Sequence, residues 1–427
     1  MARQDEAAEL TRRDFVRAGV AAAAVAGLSL TARGNQPKED DQPKKGEKKG
    51  PKKGKGEKKD LVPTRPLGKT GVQVSMLNFG TARGVGERVL NAVWEAGIRY
   101  LDTAAGYANG EAEKIIGKWM SKKKNRKELF LITKDHPRSP DQWVELVDKR
   151  LEALQTDYVD AFFIHMLGDK GRKSGGEDTT GWAKDKEWAK AAERMKKSGK
   201  VKYVGFSTHA ELAPRIACLE NAAEGGWVDA ILLAYDPLVV REEKDFDQAL
   251  DKCHKAGIGL VSMKQMRSAL GGASKVLPKY KDLGLTAGQA ILHAIWTDER
   301  IASICSDMPS INLVKENSDA ARNYKPLDKK KLGAVLELYR REGRRFCNAC
   351  DGSCRRAAGT KAALNDIVRC LSYYELDGRR ADARRLFAEL TPEERDWAGA
   401  DLAAASRACK SKLDFTALLA RAQDKLA

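Results

Sequence analysis

The apolar run from Ala18 to Leu30 is too short to span a bilayer comfortably, since a membrane helix needs roughly 20 apolar residues. No cysteine follows that run closely, so a lipid anchor has no attachment point. No aromatic residue interleaves the lysines between Pro37 and Asp60. That removes the stacking platform a single-stranded nucleic acid would need. The formal net charge of +17 would otherwise suggest a polyanionic partner. Part of that charge sits in this tail, and no nucleic-acid partner is expected. Gly80-Thr81-Ala82-Arg83-Gly84-Val85-Gly86 is glycine-rich but lacks the spacing of a dinucleotide-binding turn. Its absence argues against an open, doubly wound sheet.

The 427 residues are 42% hydrophobic, enough for a sizeable core and more than one domain. Residues 35–60 are dominated by Lys, Gly, Pro, Glu and Asp and cannot bury apolar area. We expect them to be a disordered linker. Ahead of it, Thr11-Arg12-Arg13-Asp14-Phe15-Val16-Arg17 precedes the short apolar run. A charged segment followed by such a run has the grammar of a signal peptide, and the arginine pair resembles the twin-arginine (Tat) export motif. Residues 1–34 are therefore expected to be a Tat-type signal peptide. The expected partner is the Tat machinery and the expected location is periplasmic or otherwise exported. Cleavage near Thr31 to Gly34 and retention as an uncleaved anchor both remain open.

Between residues 61 and 325, short apolar runs alternate with amphipathic stretches. The runs are Leu77–Thr81, Tyr100–Thr103, Leu129–Lys134, Ala161–His165, Val201–Ser207, Ala230–Tyr235, Gly259–Met263 and Ser303–Ser306. Continuous apolar strands separated by helices imply parallel pairing with both faces covered. Eight such units predict an α/β fold, a (β/α)8 TIM barrel. The polar groups at strand C-termini should then meet at one mouth. They are Asp102, Lys134, His165, Ser207 and Tyr235.

Several segments resemble the aldo-keto reductase family. Arg65-Pro66-Leu67-Gly68-Lys69-Thr70-Gly71 looks like its opening hairpin. Leu101-Asp102-Thr103-Ala104-Ala105-Gly106-Tyr107 resembles its Asp-to-Tyr segment, and Thr133-Lys134 and Phe163-Ile164-His165 match the next two positions. The resemblance implies hydride transfer between NADP or NAD and a small carbonyl or alcohol, with a sugar-like polyol as one candidate. It implies Tyr107 as general acid, Lys134 lowering the phenol's pKa, Asp102 holding Lys134, and His165 orienting the carbonyl. It assigns Gly80, Thr81, Ser207, Thr208, Tyr235, Met263, Glu316 and Asn317 to the cofactor. Three positions depart from the family pattern. Leu232 replaces a glutamine, Thr208 replaces an asparagine, and Ile304-Cys305-Ser306-Asp307-Met308-Pro309 puts an acid where a phosphate would lie. A non-catalytic binding module is the alternative these departures favour.

Cys218, Cys253 and Cys305 stand alone in apolar or helical contexts and are expected in the core. Cys347-Asn348-Ala349-Cys350-Asp351-Gly352-Ser353-Cys354 has metal-ligand spacing. Residues 326–427 are expected to form a small helical C-terminal domain, and this tail resembles the ferredoxin-like domain that some aldo-keto reductases carry. The resemblance implies a single 4Fe–4S cluster on Cys347, Cys350, Cys354 and Cys409. Cys370 as fourth ligand, zinc in place of iron, and a disulfide remain open alternatives. Such a cluster would also admit a redox partner, and an electron-transfer adaptor is a further reading.

Overall fold

The leading constraint is eight strands whose neighbours all run parallel. They are β3 (Leu77–Gly80), β4 (Tyr100–Asp102), β5 (Phe130–Asp135), β6 (Val159–Ile164), β7 (Val201–Thr208), β8 (Ala230–Ala234), β9 (Gly259–Met263) and β10 (Ile301–Asp307). They follow one another around the sheet, and β10 returns to pair with β3, so the barrel is closed. All eight predicted strands are present, with ends moved by one or two residues. The computed structural model describes residues 61–82, 85–169, 177–265, 284–342, 347, 352–375 and 380–427. These residues all fall within one compact unit, Lys58–Ala427. The signal-like segment, the linker and Cys350 lie outside the described residues.

Alternation along each strand separates two cores. Phe130 and Ile132 of β5 point into the barrel, with Tyr100, Ala161, Phe163, Ala230, Leu232 and Val261 from other strands. Leu131 points outward, into the layer between strands and helices that also holds Leu101, Phe162 and Leu260. A hairpin of β1 (Thr64–Pro66) and β2 (Gln73–Ser75) precedes the barrel. Leu67 and Val74 from this hairpin join the interior cluster, so it stoppers one end. Tyr203 donates to the carbonyl of Thr70 at 3.1 Å, tying the stopper to β7. The opposite end, where the strands terminate, is left for chemistry.

The surrounding helices start on residues that satisfy their free N–H groups. Ser139 accepts from Gln142 ahead of the helix Pro140–Leu154, and Asp185 accepts from Glu187 and Trp188 ahead of Lys186–Lys197. Thr286 and Gln289 form a reciprocal capping box at the start of Ala287–Trp296. The helix Lys329–Glu342 still belongs to the barrel layer, since Val335 is buried in its core.

Beyond it, the described tail is helical. Its main helices are Leu364–Glu375, Arg380–Ala388, Leu402–Ala408 and Phe415–Leu426. They close around a separate core that includes Ile367, Leu371, Phe387, Phe415 and Leu419 together with Cys354, Cys370 and Cys409. Among the described residues no helix is long and apolar enough to cross a membrane.

Strand packing admits no side chain at Gly205 of β7, where an added Cβ would sit 1.9 Å from the carbonyl oxygen of Ala230 on β8. Gly205→Ala should therefore spread two paired strands and cost about 1–3 kcal/mol, the usual scale for overpacking. A urea denaturation midpoint unchanged from the parent would refute this account of the barrel wall.

Candidate active site

The mouth is organised by neighbouring strands β4 and β5. Asp102 ends β4 opposite Ile132, and Lys134 follows two residues later on the same face of β5. The Lys134 ammonium reaches Asp102 Oδ1 and Oδ2 at 2.7 Å each and the carbonyl of Thr103 at 2.7 Å. Lys134 is 0% exposed, so this pairing is what lets its charge remain in the interior. Burial pushes the Asp102 carboxyl upward, while Lys134 and a hydrogen bond with the Cys305 thiol oppose that shift.

Tyr107 is brought to this pair by backbone bonds. Ala105 N–H donates to the Lys134 carbonyl at 2.9 Å, and Tyr107 N–H donates to Ala104 at 3.1 Å. The chain then turns sharply through Ala108, Asn109 and Gly110, all at positive φ, into the helix Glu111–Lys123. That helix is fastened to β5 by Glu113, which accepts from Thr133 at 2.6 Å and from Arg150 at 3.0 Å. Burial raises Glu113 to about 7 despite these two partners.

His165 follows β6, its N–H bonded to the Asp135 carbonyl at 2.7 Å. Its ring lies edge-on to Tyr107 at 5.7 Å and stacks on His136 at 4.5 Å. The Lys134 Nζ is 5.2 Å from the centre of the Tyr107 ring. Asp102, Tyr107, Lys134 and His165 thus meet at one mouth. The expected effect of Lys134 on Tyr107 does not hold. Burial raises the phenol well above its ordinary value, and Asp102, Cys305, Asp307 and Tyr373 push it further the same way. The ammonium is committed to Asp102 and Thr103, so its charge is largely cancelled where Tyr107 sits.

These residues open into a cavity of about 1190 Å³. Gly80, Ser207, Met263, Glu316 and Asn317 line it, as does Leu232. An added Cβ on Gly80 would meet Asp307 Oδ1 and Cys305 Sγ, each at 2.9 Å. Ser207 Oγ accepts from Met166 N–H at 3.1 Å. Glu316 accepts from Thr286 at 2.6 Å, and the Asn317 amide donates to Ser306 at 3.1 Å. Asp307 also lines the cavity and accepts from Ala82 N–H at 3.2 Å.

Three residues assigned to the cofactor face elsewhere. The Tyr235 hydroxyl donates to Asp298 at 2.8 Å, because β8 ends at Ala234 and the next side chain turns outward. Thr81 Oγ1 donates to the Asp102 carbonyl at 3.0 Å and braces β4. Thr208 is fully buried, with its hydroxyl 3.5 Å from Ala210 N–H.

The cavity also holds groups that sequence patterns did not single out. Cys218 and Cys253 are core residues as expected, but Cys305 lines the cavity beside Asp102. His209 Nδ1 lies 2.7 Å from Asp169 Oδ2. Burial lowers His209 to about 4, with Lys264 and Arg369 acting the same way, so the ring is neutral near pH 7. Arg369 and Tyr373 reach the cavity from the tail. His209 follows β7 directly, so extending the strand-end rule two residues past Ser207 would have found it. No local pattern reveals the tail residues.

Of the proposed metal ligands, Cys354 and Cys409 are buried and Cys347 is half-buried at the edge of the same tail core. Burial raises the Cys354 thiol, and Cys409 adds to the shift. Among the described residues no three His, Cys, Asp or Glu side chains are grouped to hold a metal. Cys350 lies outside them.

Residues 82–282 match the aldo/keto reductase family profile. The chain is similar to the aldo-keto reductase str7 of Strobilurus tenacellus, 29% identical over 235 residues. That alignment spans 50% of this chain and 64% of the relative, just under two thirds of its length. It is also similar to the uncharacterized oxidoreductase YqkF of Bacillus subtilis strain 168, 25% identical over 316 residues, covering 65% of this chain and 95% of that protein. Two solved structures share the fold. One is the holo form of an aldo-keto reductase from Bacillus halodurans, at TM-score 0.50 and 24% identity over 65% of this chain and 96% of that one. The other is an aldo/keto reductase from Brucella melitensis, at TM-score 0.51 and 22% identity over 65% of this chain and all of that one. The closed barrel described above has the fold of these solved reductases, and within it residues 82–282 are similar in sequence to the aldo/keto reductase family, whose relatives here are named as reductases or oxidoreductases.

Proposed function

We propose that the protein is an exported oxidoreductase that reduces a small carbonyl compound, with Tyr107 as the proton donor. The observation that carries this reading is a phenol held in its protonated form at a cavity mouth, edge-on to His165 and above the Asp102–Lys134 pair. A carbonyl accepting hydride develops alkoxide charge, so a donor beside the oxygen lowers the barrier. Tyr107 supplies the proton, and His165 orients the carbonyl with a second hydrogen bond. Lys134 and Asp102 hold the Tyr107 loop through the Lys134 carbonyl and Thr103.

A nicotinamide dinucleotide, NADP or NAD, supplies the hydride when bound. The residues fit it at one end. Gly80, Ser207 and Met263 line the same wall of the cavity. Glu316 and Asn317 would hold the adenosine side. Leu232 gives no amide to grip a carboxamide, and Asp307 disfavours an additional phosphate nearby. The acid at Asp307 supports NAD over NADP.

The tail reading is a 4Fe–4S cluster on Cys347, Cys350, Cys354 and Cys409. It is supported by Ser353, whose hydroxyl donates to the Ala408 carbonyl at 3.1 Å, and so brings the segments of Cys354 and Cys409 together. Export rests on Arg12-Arg13 and the apolar run after them. The Tat route carries folded proteins, so cofactors inserted before export would travel with the chain.

Tyr107→Phe should lower kcat/KM for carbonyl reduction by about 10²–10⁴-fold. Because the raised phenol stays protonated, reduction by the parent enzyme should be flat from about pH 6 to about pH 9. Alcohol oxidation, which needs phenolate, should rise across that range. Initial rates in both directions test the pair, and a fall in reduction near neutrality would overturn Tyr107 as donor. Lys134→Met should destabilise the fold by about 3–5 kcal/mol by stranding a buried carboxylate. Adding Asp102→Asn should restore part of that loss in urea titrations. For the tail, protein purified without oxygen should show broad visible absorbance that Cys354→Ser and Cys409→Ser each abolish. A featureless spectrum from the parent would sink the cluster.

A further inference from the structure

Interior-facing residues of four neighbouring strands meet behind the cavity mouth. The register sets Asp307 of β10 beside Gly80 of β3, Gly80 beside Asp102 of β4, and Asp102 beside Ile132 of β5, two residues before Lys134. Cys305 lies two residues before Asp307, so its thiol faces the same interior. Asp102 and Cys305 thus stand on strands with β3 between them. A side chain on β3 at this level would part them. Gly80 has none, and a Cβ built there would meet Cys305 Sγ and Asp307 Oδ1 at 2.9 Å each. The thiol lies in that opening and donates a hydrogen bond across β3 to the Asp102 carboxylate.

The electrostatics suit a thiol in this place. Burial raises Cys305 well above the ordinary thiol value, and Asp102 and Asp307 add to the rise while Lys134 opposes it. The proton therefore stays on sulfur near neutral pH, and only the protonated form can donate. Asp102 needs the donor. Burial raises its carboxyl, and the groups that oppose the rise are Lys134 and Cys305. The other ionisable groups facing this pair are Asp307 on β10, Tyr100 on β4 and Tyr107 after it. Both phenols are raised well above their ordinary value and stay neutral, and Asp307 is an acid. Lys134 and the thiol are thus the groups that hold the charge on Asp102.

We propose that Cys305 is a positioning residue of the reductase site, whose thiol fixes the Asp102 carboxylate for Lys134 and so keeps the Tyr107 loop seated. The kinetic part of this rests on Tyr107 as the proton donor.

The full chain, Cys305→Ala and Cys305→Ser are assayed for reduction of propanal by NADH as a function of pH, with tryptophan fluorescence recorded at each pH. Asp102 must be ionised to hold the ammonium, so reduction falls as pH drops through the carboxyl's pKa. Losing the thiol raises that pKa. The acid edge of kcat/KM should therefore move up by about half a pH unit to one unit in Cys305→Ala, the worth of one hydrogen bond. Cys305→Ser keeps a donor and should return the edge toward the parent's. The S–H stretching band of Cys305 is read separately, as the infrared difference between the parent and Cys305→Ala. It should lie at the lower frequency of a bonded thiol and move toward the free position as Asp102 takes up its proton. A free-thiol band, or one that stays fixed through the acid range, would overturn the proposal whether or not the enzyme is active. A bonded band with an unmoved acid edge, or an edge that coincides with loss of native fluorescence, makes the thiol a passive contact and overturns the positioning role. A folded parent that reduces no propanal counts against Tyr107 as donor, and the pH response of the band then decides the thiol alone.

Discussion

A lysine ammonium with no access to water is stable only where its charge and all three protons are met, and that condition shapes this mouth. Lys134 meets it with two carboxylate oxygens of Asp102 and one carbonyl, all at 2.7 Å. The geometry requires β4 and β5 to be parallel, adjacent and in the observed register. A slip of one residue would turn Lys134 to the helix side and leave Asp102 buried and unpaired. Much of the surrounding structure serves the same pair. Thr81 bonds the Asp102 backbone, Cys305 bonds its carboxylate, and Ala105 hangs the Tyr107 loop on the Lys134 carbonyl.

The pair also decides the ionisation of its neighbour. A free ammonium beside a phenol would favour phenolate. Here the carboxylate cancels the ammonium, and burial then dominates. The interior therefore holds the Tyr107 phenol in its protonated form. The same reasoning separates the ion pair's structural role from the chemistry. It places the Tyr107 loop and fixes the local field, while in the proposed reaction the proton that moves resides on the phenol.

The barrel was legible because parallel strands covered on both faces read as continuous apolar runs, and their order alone fixes where their ends meet. Asp102, Lys134 and His165 followed from strand ends, and Tyr107 from the resemblance of its segment to the family. The failures share one cause, which is that a strand end specifies a place but not a direction. Tyr235 lies one residue beyond β8 and turns to Asp298, while Thr81 and Thr208 take up local hydrogen bonds. Cys305 read as core because a thiol in an apolar strand has no local mark of function. Its partner Asp102 comes from a strand on the far side of β3. Asp169 and His209 come from different βα loops, so their pairing exists only in three dimensions.

The tail extends this point. In sequence, the helix Leu364–Glu375 shows one apolar stripe, which places Cys370 among core residues and says nothing of the opposite face. In the fold, that opposite face carries Asp366, Arg369 and Tyr373 to the cavity, while the apolar stripe packs on the core holding Cys354 and Cys409. A rigid helix cannot reposition one face without moving the other. The cysteine core and the active cavity are therefore mechanically joined through a single helix, and Cys370 borders both. Whatever organises the thiols also sets where Tyr373 meets the cavity. A barrel fold that ends its own wall at the strand loops has here acquired a second wall whose placement depends on a different core.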